Sequence, residues 1–305
     1  MNAAHSLYKR ISLVERQVFH GAKKAYTQEK IHTGSARKEV DPRNKLNDLS
    51  SKEWTKFLRS WFIFDALHSD LAEERTVTVE CQQHPATFSP TMMSEFILFF
   101  TKETMNVLDP FLGIGSTLVA CDRTNRIGYG IDINAKFVDI SIKRTTTRQT
   151  IILGDATEID KMNLPPIDYC ITSPPYWNML HKIDVNQEKR LKKGLATRYS
   201  DLREDLGNIS DYDTFVKSLL AIFGKVYDVL RPGAYLSIIT QNIINGGVMT
   251  PFAWDLAIKM TTDLKYVLKK EKIWCQDHKH LHPFGYPYAW VSNTHHHYCL
   301  NFRKE

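Results

Sequence analysis

Short apolar runs alternate with helix-period stretches along most of this chain. Asn106 to Asp109, Ile127 to Ile133, Thr150 to Leu153 and Tyr169 to Ile171 predict strands. Between them, Ser116 to about Thr124 and Ala135 to about Thr145 predict helices. A helix from Asp211 to Leu230 follows, closed by Arg231-Pro232-Gly233, then a strand from Ala234 to Thr240 and a helix from Pro251 to about Thr261. Lys265 to Cys275 and Tyr298 to Phe302 are the last predicted strands. Strands interleaved with helices in this way imply a parallel sheet.

Upstream, Ser89 as N-cap and Pro90 at the first position start a helix with Met93, Phe96, Ile97 and Phe100 on one face. Ser50-Ser51-Lys52-Glu53 fits a capping box, and Trp54, Phe57, Leu58, Trp61 and Phe62 continue at helical spacing. That aromatic stripe reads as core against the main domain rather than as a base-stacking platform.

Two interruptions of the pattern carry candidate chemistry. The first is Ser173-Pro174-Pro175-Tyr176, directly after a buried strand. Neither proline can donate to a sheet ladder, and each pushes its predecessor toward extended geometry. The strand therefore ends in a stiff corner bearing a hydroxyl, free carbonyls and an aromatic ring. Ser173 and the Pro174 carbonyl can accept hydrogen bonds from a flat amine, and Tyr176 can stack on its ring. The second interruption is Asp109-Pro110-Phe111-Leu112-Gly113-Ile114-Gly115-Ser116-Thr117, a strand end, a Gly-rich turn and a helix start. Its glycines allow a ligand close to the backbone, and the helix start offers unpaired N–H groups. Asp132, at the tip of the next strand, is placed to accept both hydroxyls of a ribose. Gly113 to Leu118 lacks the third glycine of a dinucleotide fingerprint, and nothing downstream supplies hydride chemistry.

These two segments resemble the cofactor loop and catalytic motif of the S-adenosylmethionine-dependent amino-methyltransferases, the DNA cytosine-N4 and adenine-N6 family. The resemblance runs from about Asn47 to Arg303 and implies an α/β fold: a doubly wound, mostly parallel seven-stranded sheet with a last antiparallel strand. It implies S-adenosylmethionine as cofactor, contacted by Asp109, Phe111, Gly113, Gly115, Ser116, Thr117 and Asp132. Asp155 falls where family members touch the adenine ring. The segment with His84, Thr87 and Phe88 falls where they line the methionine end. Ser173, Pro174, Pro175 and Tyr176 would be the catalytic corner, with Trp177 helping to form its wall.

Composition adjusts this picture. The 305 residues carry a net charge of +6, but 13 of the Lys/Arg and only 6 of the Asp/Glu lie in the first sixty. Residues 1–45 read as a basic, partly helical arm, residues 46–305 as the catalytic domain, and the asymmetry fits either a polyanionic partner or a solvated basic face. Residues 179–210 form a polar insertion that is a candidate nucleic-acid loop or a solvated lid. The five widely spaced cysteines suit a reducing cytoplasm, and no run approaches the length of a membrane span or a secretory signal. Cys275, His278, His280, His282 and His295 to His297 match no four-ligand zinc spacing, so no metal is expected.

The expected reaction is methyl transfer to an exocyclic amine of a base in double-stranded DNA, with the base flipped into the pocket. A serine before Pro-Pro-Tyr favours cytosine N4 within the family over adenine N6. An RNA amino-methyltransferase would share both motifs, and a catalytically silent nucleic-acid-binding module would share the fold. A homodimer and a companion restriction endonuclease are further partners consistent with the resemblance.

Overall fold

The computed structural model describes residues 40–65, 69–70, 87–177, 205–245 and 248–305. The chain divides into residues 1–39 and a compact unit Val40–Glu305, and the fold below is that of the second unit. Much of the expected basic arm therefore lies outside the described residues, as do His84 and most of the polar insertion.

Ten strands are described: β1 Trp61–Ile63, β2 Asn106–Asp109, β3 Ile127–Asp132, β4 Thr150–Leu153, β5 Ile167–Thr172, β6 Leu230–Thr240, β7 Ile243–Asn245, β8 Val248–Thr250, β9 Tyr266–Cys275 and β10 His296–Lys304. The helices are α1 Ser51–Phe57, α2 Pro90–Phe100, α3 Ser116–Thr124, α4 Ala135–Arg144, α5 Tyr212–Val229 and α6 Phe252–Thr262. One sheet has the order β1-β9-β10-β6-β5-β2-β3-β4, and β7 and β8 form a separate hairpin. Every neighbour pairing in the large sheet is parallel except the two made by β10. The order reverses direction between β2 and β5, the switch point where open α/β sheets leave a crevice. This is the doubly wound, mostly parallel α/β sheet that the sequence resemblance implies.

Adjacent residues divide the apolar side chains between two faces, as a pleat requires. Leu108, Cys170 and Ile238 join Phe215, Phe223 and Phe252 from α5 and α6 on one side. Val107, Ile171 and Ile239 join Met92, Phe96 and Phe100 from α2 on the other. Among the described residues no helix is long and apolar enough to cross a membrane.

The sheet has eight strands, one more than expected, because the predicted aromatic helix stops early. Ser50 caps α1 with the full capping box, but the helix ends at Phe57. Lys272 on β9 is buried and donates to the carbonyls of Phe57 and Arg59, and its ammonium sits 4.2 Å over the Phe57 ring. Held there, the chain turns, and Trp61–Ile63 pairs with Ile273–Cys275 at the sheet edge. The aromatic stripe is core only in part: Phe57 stacks on Phe99 at 4.1 Å and Phe62 is buried, but Trp61 at the sheet edge is exposed. Leu58 is left exposed. β6 also starts earlier than predicted, at Leu230, so Arg231-Pro232-Gly233 lies within a strand rather than closing the helix as a separate turn.

Arg126 fastens the amino end of β3 to the end of α2. Its guanidinium is 2% exposed and donates to Thr101 Oγ1 (3.0 Å), the Thr101 carbonyl (2.8 Å) and the Thr124 carbonyl. Burial pulls its pKa down, so these acceptors compensate a costly charge. Arg126→Met should lower stability by about 3 kcal/mol, because it orphans buried acceptors that met a charged donor. Urea unfolding measures this, and a change below about 1 kcal/mol would refute the anchoring role.

Candidate active site

The carboxyl ends of the parallel strands form the edge on which the site is built. β2 delivers Asp109 to it, β3 delivers Asp132, and β5 delivers Thr172 and the following corner. β9 is parallel to β6, with β10 antiparallel between them, so Cys275 and His296 reach the same edge.

Asp109 joins the two motifs. It is 4% exposed, and one oxygen accepts from Thr117 Oγ1 at the start of α3 (2.5 Å). The other accepts from Thr172 Oγ1 on β5 (2.6 Å) and from the Phe111 amide (3.1 Å). Burial raises its pKa, and all three hydrogen bonds oppose that rise.

The Gly-rich turn is held from both sides. The Gly113 amide donates to Asp132 Oδ2 (2.7 Å), while Ser141 on α4 donates to the Gly113 carbonyl (3.0 Å). Arg144, also on α4, donates to the Ile114 carbonyl. Gly115 caps α3 in the left-handed region at φ 88°, and a Cβ there would lie 2.9 Å from Ser141 Oγ. Both the backbone angle and the packing therefore require glycine.

Asp132 accepts from the Asn134 amide (2.8 Å) as well as from Gly113. Burial nevertheless pushes its pKa up to about 7, with Asp109 and Asp205 adding like charge. Asp155 caps the short 3-10 turn that follows β4, accepting from the Thr157 amide (2.8 Å). It still lines the cleft, so the cap does not remove it from the site.

These groups face a cleft of about 990 Å³, counting its open mouth. Of the residues expected at the site, Thr87, Phe88, Asp109, Phe111, Gly113, Ser116, Thr117, Asp132, Asp155, Ser173, Pro175 and Tyr176 line it. Gly115 and Pro174 do not line it: Gly115 supports the turn from behind, and Pro174 is buried beneath the corner. His84 is outside the described residues. Ser173 Oγ and the Tyr176 hydroxyl are 3.1 Å apart, and Tyr176 also donates weakly to the Ile239 carbonyl at 3.4 Å. Trp177, expected on the wall, instead packs on Tyr212 at 5.2 Å and donates to the Ser210 carbonyl.

Asp205 and Leu206 also line the cleft, although the sequence places them inside the polar insertion. Asp205 is 6% exposed, which no periodicity announces. Also unanticipated is a set of orphaned polar atoms. Thr87 Oγ1, Thr240 Oγ1, Gln276 Oε1 and His297 Nδ1 are buried without a hydrogen-bond partner. Thr87 is on the cleft wall, and the others lie at the ends of β6, β9 and β10 on the same sheet edge. His297 stacks on Trp274 at 4.9 Å and has Tyr176 at 6.1 Å. Burial drops its pKa to about 3, with Lys279 and His296 adding to the effect, so the imidazole is neutral.

The residues present fit a nucleoside-bearing, cationic cofactor. Asp132 keeps acceptor capacity for hydroxyls, the unpartnered Thr87 hydroxyl faces the cleft wall, and Phe88, Phe111 and Phe137 supply apolar surface. Gly115→Ala tests the built turn. It should cost roughly 1–3 kcal/mol of stability, since it combines a left-handed angle with a contact on Ser141. Relieving the contact with Ser141→Gly should recover only part of the loss in melting experiments. Full recovery would mean that the backbone angle is without cost.

Comparison with known proteins adds to this geometry. A family model described as DNA methylase matches residues 14–143, a span that begins inside the stretch expected to lie outside the resemblance. The type II methyltransferase M.Cfr9I of Citrobacter freundii is 37% identical over 70 residues, 23% of either chain. A tRNA (guanine(10)-N2)-dimethyltransferase of Pyrococcus abyssi is 28% identical over 132 residues, 41% of this chain and 40% of that one. Both matches thus span less than half of the relative's length. A solved putative rRNA-methylase from Clostridium thermocellum aligns at 14% identity over 73% of this chain and all of its own, with a TM-score of 0.45. Over residues 14–143 the chain is thus similar to the DNA methylases of the N6/N4 type, and shorter stretches are similar to type II methyltransferases.

Proposed function

We propose that this protein transfers a methyl group from S-adenosylmethionine to an exocyclic amine of a base in duplex DNA, with cytosine N4 the preferred target. The observation that carries the reading is the Asp109 bridge, which joins the Gly-rich turn to the Ser173–Tyr176 corner across 2.5 and 2.6 Å contacts. A cofactor site and an amine-holding corner thereby share one cleft. The serine ahead of Pro-Pro-Tyr supports cytosine over adenine. The likeness to a tRNA guanine-N2 dimethyltransferase favours RNA as the second reading.

In this reading Asp132 holds the ribose, Asp155 and the apolar walls hold the adenine, and the Gly113 to Thr117 turn meets the methionine end. When bound, S-adenosylmethionine supplies an electrophilic methyl on a sulfonium. The chain has to present a weakly nucleophilic amine in line with it. Ser173 Oγ would accept one of the amine's N–H bonds, freeing its lone pair from the ring, while Tyr176 stacks on the base; the Pro174 carbonyl, behind the cleft lining, would join only if the bound base reaches it. No strong base is required before attack, because the amine becomes acidic only as it is alkylated. Rate enhancement then comes chiefly from positioning, which the rigid corner provides. A duplex buries the amine, so the base would be flipped out.

Incubating the full chain with plasmid DNA, or with total RNA, and labelled cofactor tests this directly. Nucleoside mass spectrometry should find N4-methylcytosine in the DNA. N6-methyladenine would move the target, methylated RNA alone would establish the second reading, and no product would sink both. Tyr176→Ala should reduce methylation by an order of magnitude or more, given about 1–3 kcal/mol for base stacking, while cofactor affinity holds. An equal fall in cofactor affinity would assign Tyr176 to the cofactor's wall.

Cofactor affinity should also depend on pH through Asp132. Only its ionised form accepts hydroxyls on both oxygens, and burial holds its pKa near about 7 in the open cleft. Binding therefore strengthens as pH rises through that value, and calorimetry should register proton release near neutrality. The same shift acts oppositely on the empty fold. A carboxyl raised above its unfolded value loses its stabilising contribution as pH climbs toward 7. Affinity that is flat between about pH 6 and 8 would contradict the placement.

A further inference from the structure

Beside the corner, on the same edge of the sheet, the chain between β9 and β10 displays three large rings to water. Tyr286, Tyr288 and Trp290 are 82%, 94% and 90% exposed. They occupy alternate positions, separated by Pro287 and Ala289. Scattered exposed aromatics are ordinary, but three consecutive alternate rings in one short turn form a patch of the kind that marks an interaction site.

The turn is built rather than loose. The Asn293 side chain clamps its base, donating to the His282 carbonyl (2.8 Å) and accepting from the His282 amide (2.9 Å). At its head the Gly285 carbonyl accepts from both the Tyr288 and Ala289 amides, each at 2.7 Å. Gly285 has φ 76°, and a Cβ there would lie 2.3 Å from the Ala289 carbonyl oxygen, so the tight head requires glycine. The rings are thus presented on a pre-organised frame, which lowers the entropy cost of binding.

The surrounding groups narrow the kind of partner. From Gln276 to His297 the single acidic residue, Asp277, offsets Lys279, and six histidines add hydrogen-bonding rings. Aromatic rings in a frame of hydrogen-bonding groups without net formal charge match the bases of a nucleic acid, whose faces stack on such rings. Position agrees as well, because the loop leaves the sheet where Cys275 and His296 flank the strand ends nearest Tyr176. Withdrawing one base from a duplex leaves its neighbours with uncovered faces that such rings can cover.

We propose that the Phe284–Trp290 loop is a nucleic-acid contact in which Tyr286, Tyr288 and Trp290 stack on the bases neighbouring the one held at Ser173–Tyr176. The proposal rests on the reading of this protein as a methyltransferase acting on nucleic acid. It adds the element that grips the strand around the target.

The test uses the full chain, a fluorescently labelled random-sequence duplex, and the variants Tyr288→Ala, Trp290→Ala, their double, and Trp290→Phe. Each alanine variant should weaken duplex binding about tenfold, and the phenylalanine variant should stay near wild type. The slope of affinity against salt should not change, since no phosphate contact is lost. Melting temperature and S-adenosylmethionine affinity should match wild type, because the rings are exposed. Wild-type duplex affinity in the double variant overturns the proposal, and lowered methylation alongside it would identify the loop as a lid. A change in sedimentation between wild type and double variant without DNA would identify a contact between copies instead, and also overturns it. Labelled-methyl incorporation into the same duplex separates the two levels. If the wild type methylates and the double variant binds and methylates equally, the loop proposal alone fails. If the wild type methylates no nucleic acid, the functional reading fails, and the binding comparison still decides the loop.

Discussion

A single buried carboxylate holds the site together. Asp109 lies at the end of β2 with almost no access to water, where an ionised group is costly unless its oxygens are met by donors. Three donors meet it, from the start of α3, the end of β5 and its own turn. The turn runs directly into α3, but the end of β5 is 63 residues from Asp109, so the cost of burying Asp109 is fully offset only when both segments are in place. This makes the spacing between the Gly-rich turn and the Pro-Pro corner a property of the folded core rather than of a loop. The proposed methyl transfer by positioning would need that spacing to be fixed, and here a stability requirement fixes it. Asp109 consequently belongs to the binding cleft and to the core at once. Its substitution would confound the two, whereas on the proposed function Asp132 and Tyr176 would separate cofactor from target.

Much of this was legible in the chain because it depends on local chemistry. Glycines at 113 and 115, prolines at 174 and 175, and aspartates at 109 and 132 each serve a backbone or strand-end requirement that single-residue physics announces. The core helices were equally visible, since α2, α5 and α6 carry apolar faces at the helical period. What escaped depends on where distant segments meet. β1 is three residues long, too short for any period, and exists because Lys272 ends α1 and the edge of β9 was free to pair. Asp205 reads as one more charge in a polar insertion, yet the return of the chain toward α5 buries it in the cleft. His297 sat in a run of three histidines that invited a metal argument. Its neutrality follows from burial against Trp274, which sequence spacing cannot express.

The orphaned atoms give the site a direction. Buried hydroxyls and ring nitrogens without partners are rare in finished cores, because each costs as much as a lost hydrogen bond. Thr87 faces the cleft wall where the cofactor is proposed, while Thr240, Gln276 and His297 lie at the strand ends toward Tyr176. Among the described residues, unmet polar capacity is thus divided between the cleft wall at Thr87 and the strand ends near Tyr176, which the proposed function would give to cofactor and target. That is the distribution expected of a site that completes its hydrogen bonding only when two ligands are present.

Electrostatics supplies the last constraint. Asp109, Asp132 and Asp205 face one cleft closely enough for the first and third to raise the proton affinity of the second. Burial is the larger cause of that shift and the two neighbouring carboxyls the smaller, so the empty cleft penalises the ionised form of Asp132. A cationic ligand relieves that penalty by neutralising charge, and so competes with the proton for the same carboxylate. On the proposed reaction the ligand enters with a sulfonium charge and leaves without it. The attraction that favours entry would therefore be absent from the spent cofactor, while the hydroxyl contacts to Asp132 are common to both. On that reading, discrimination between fresh and spent cofactor would rest on the charge of the cleft.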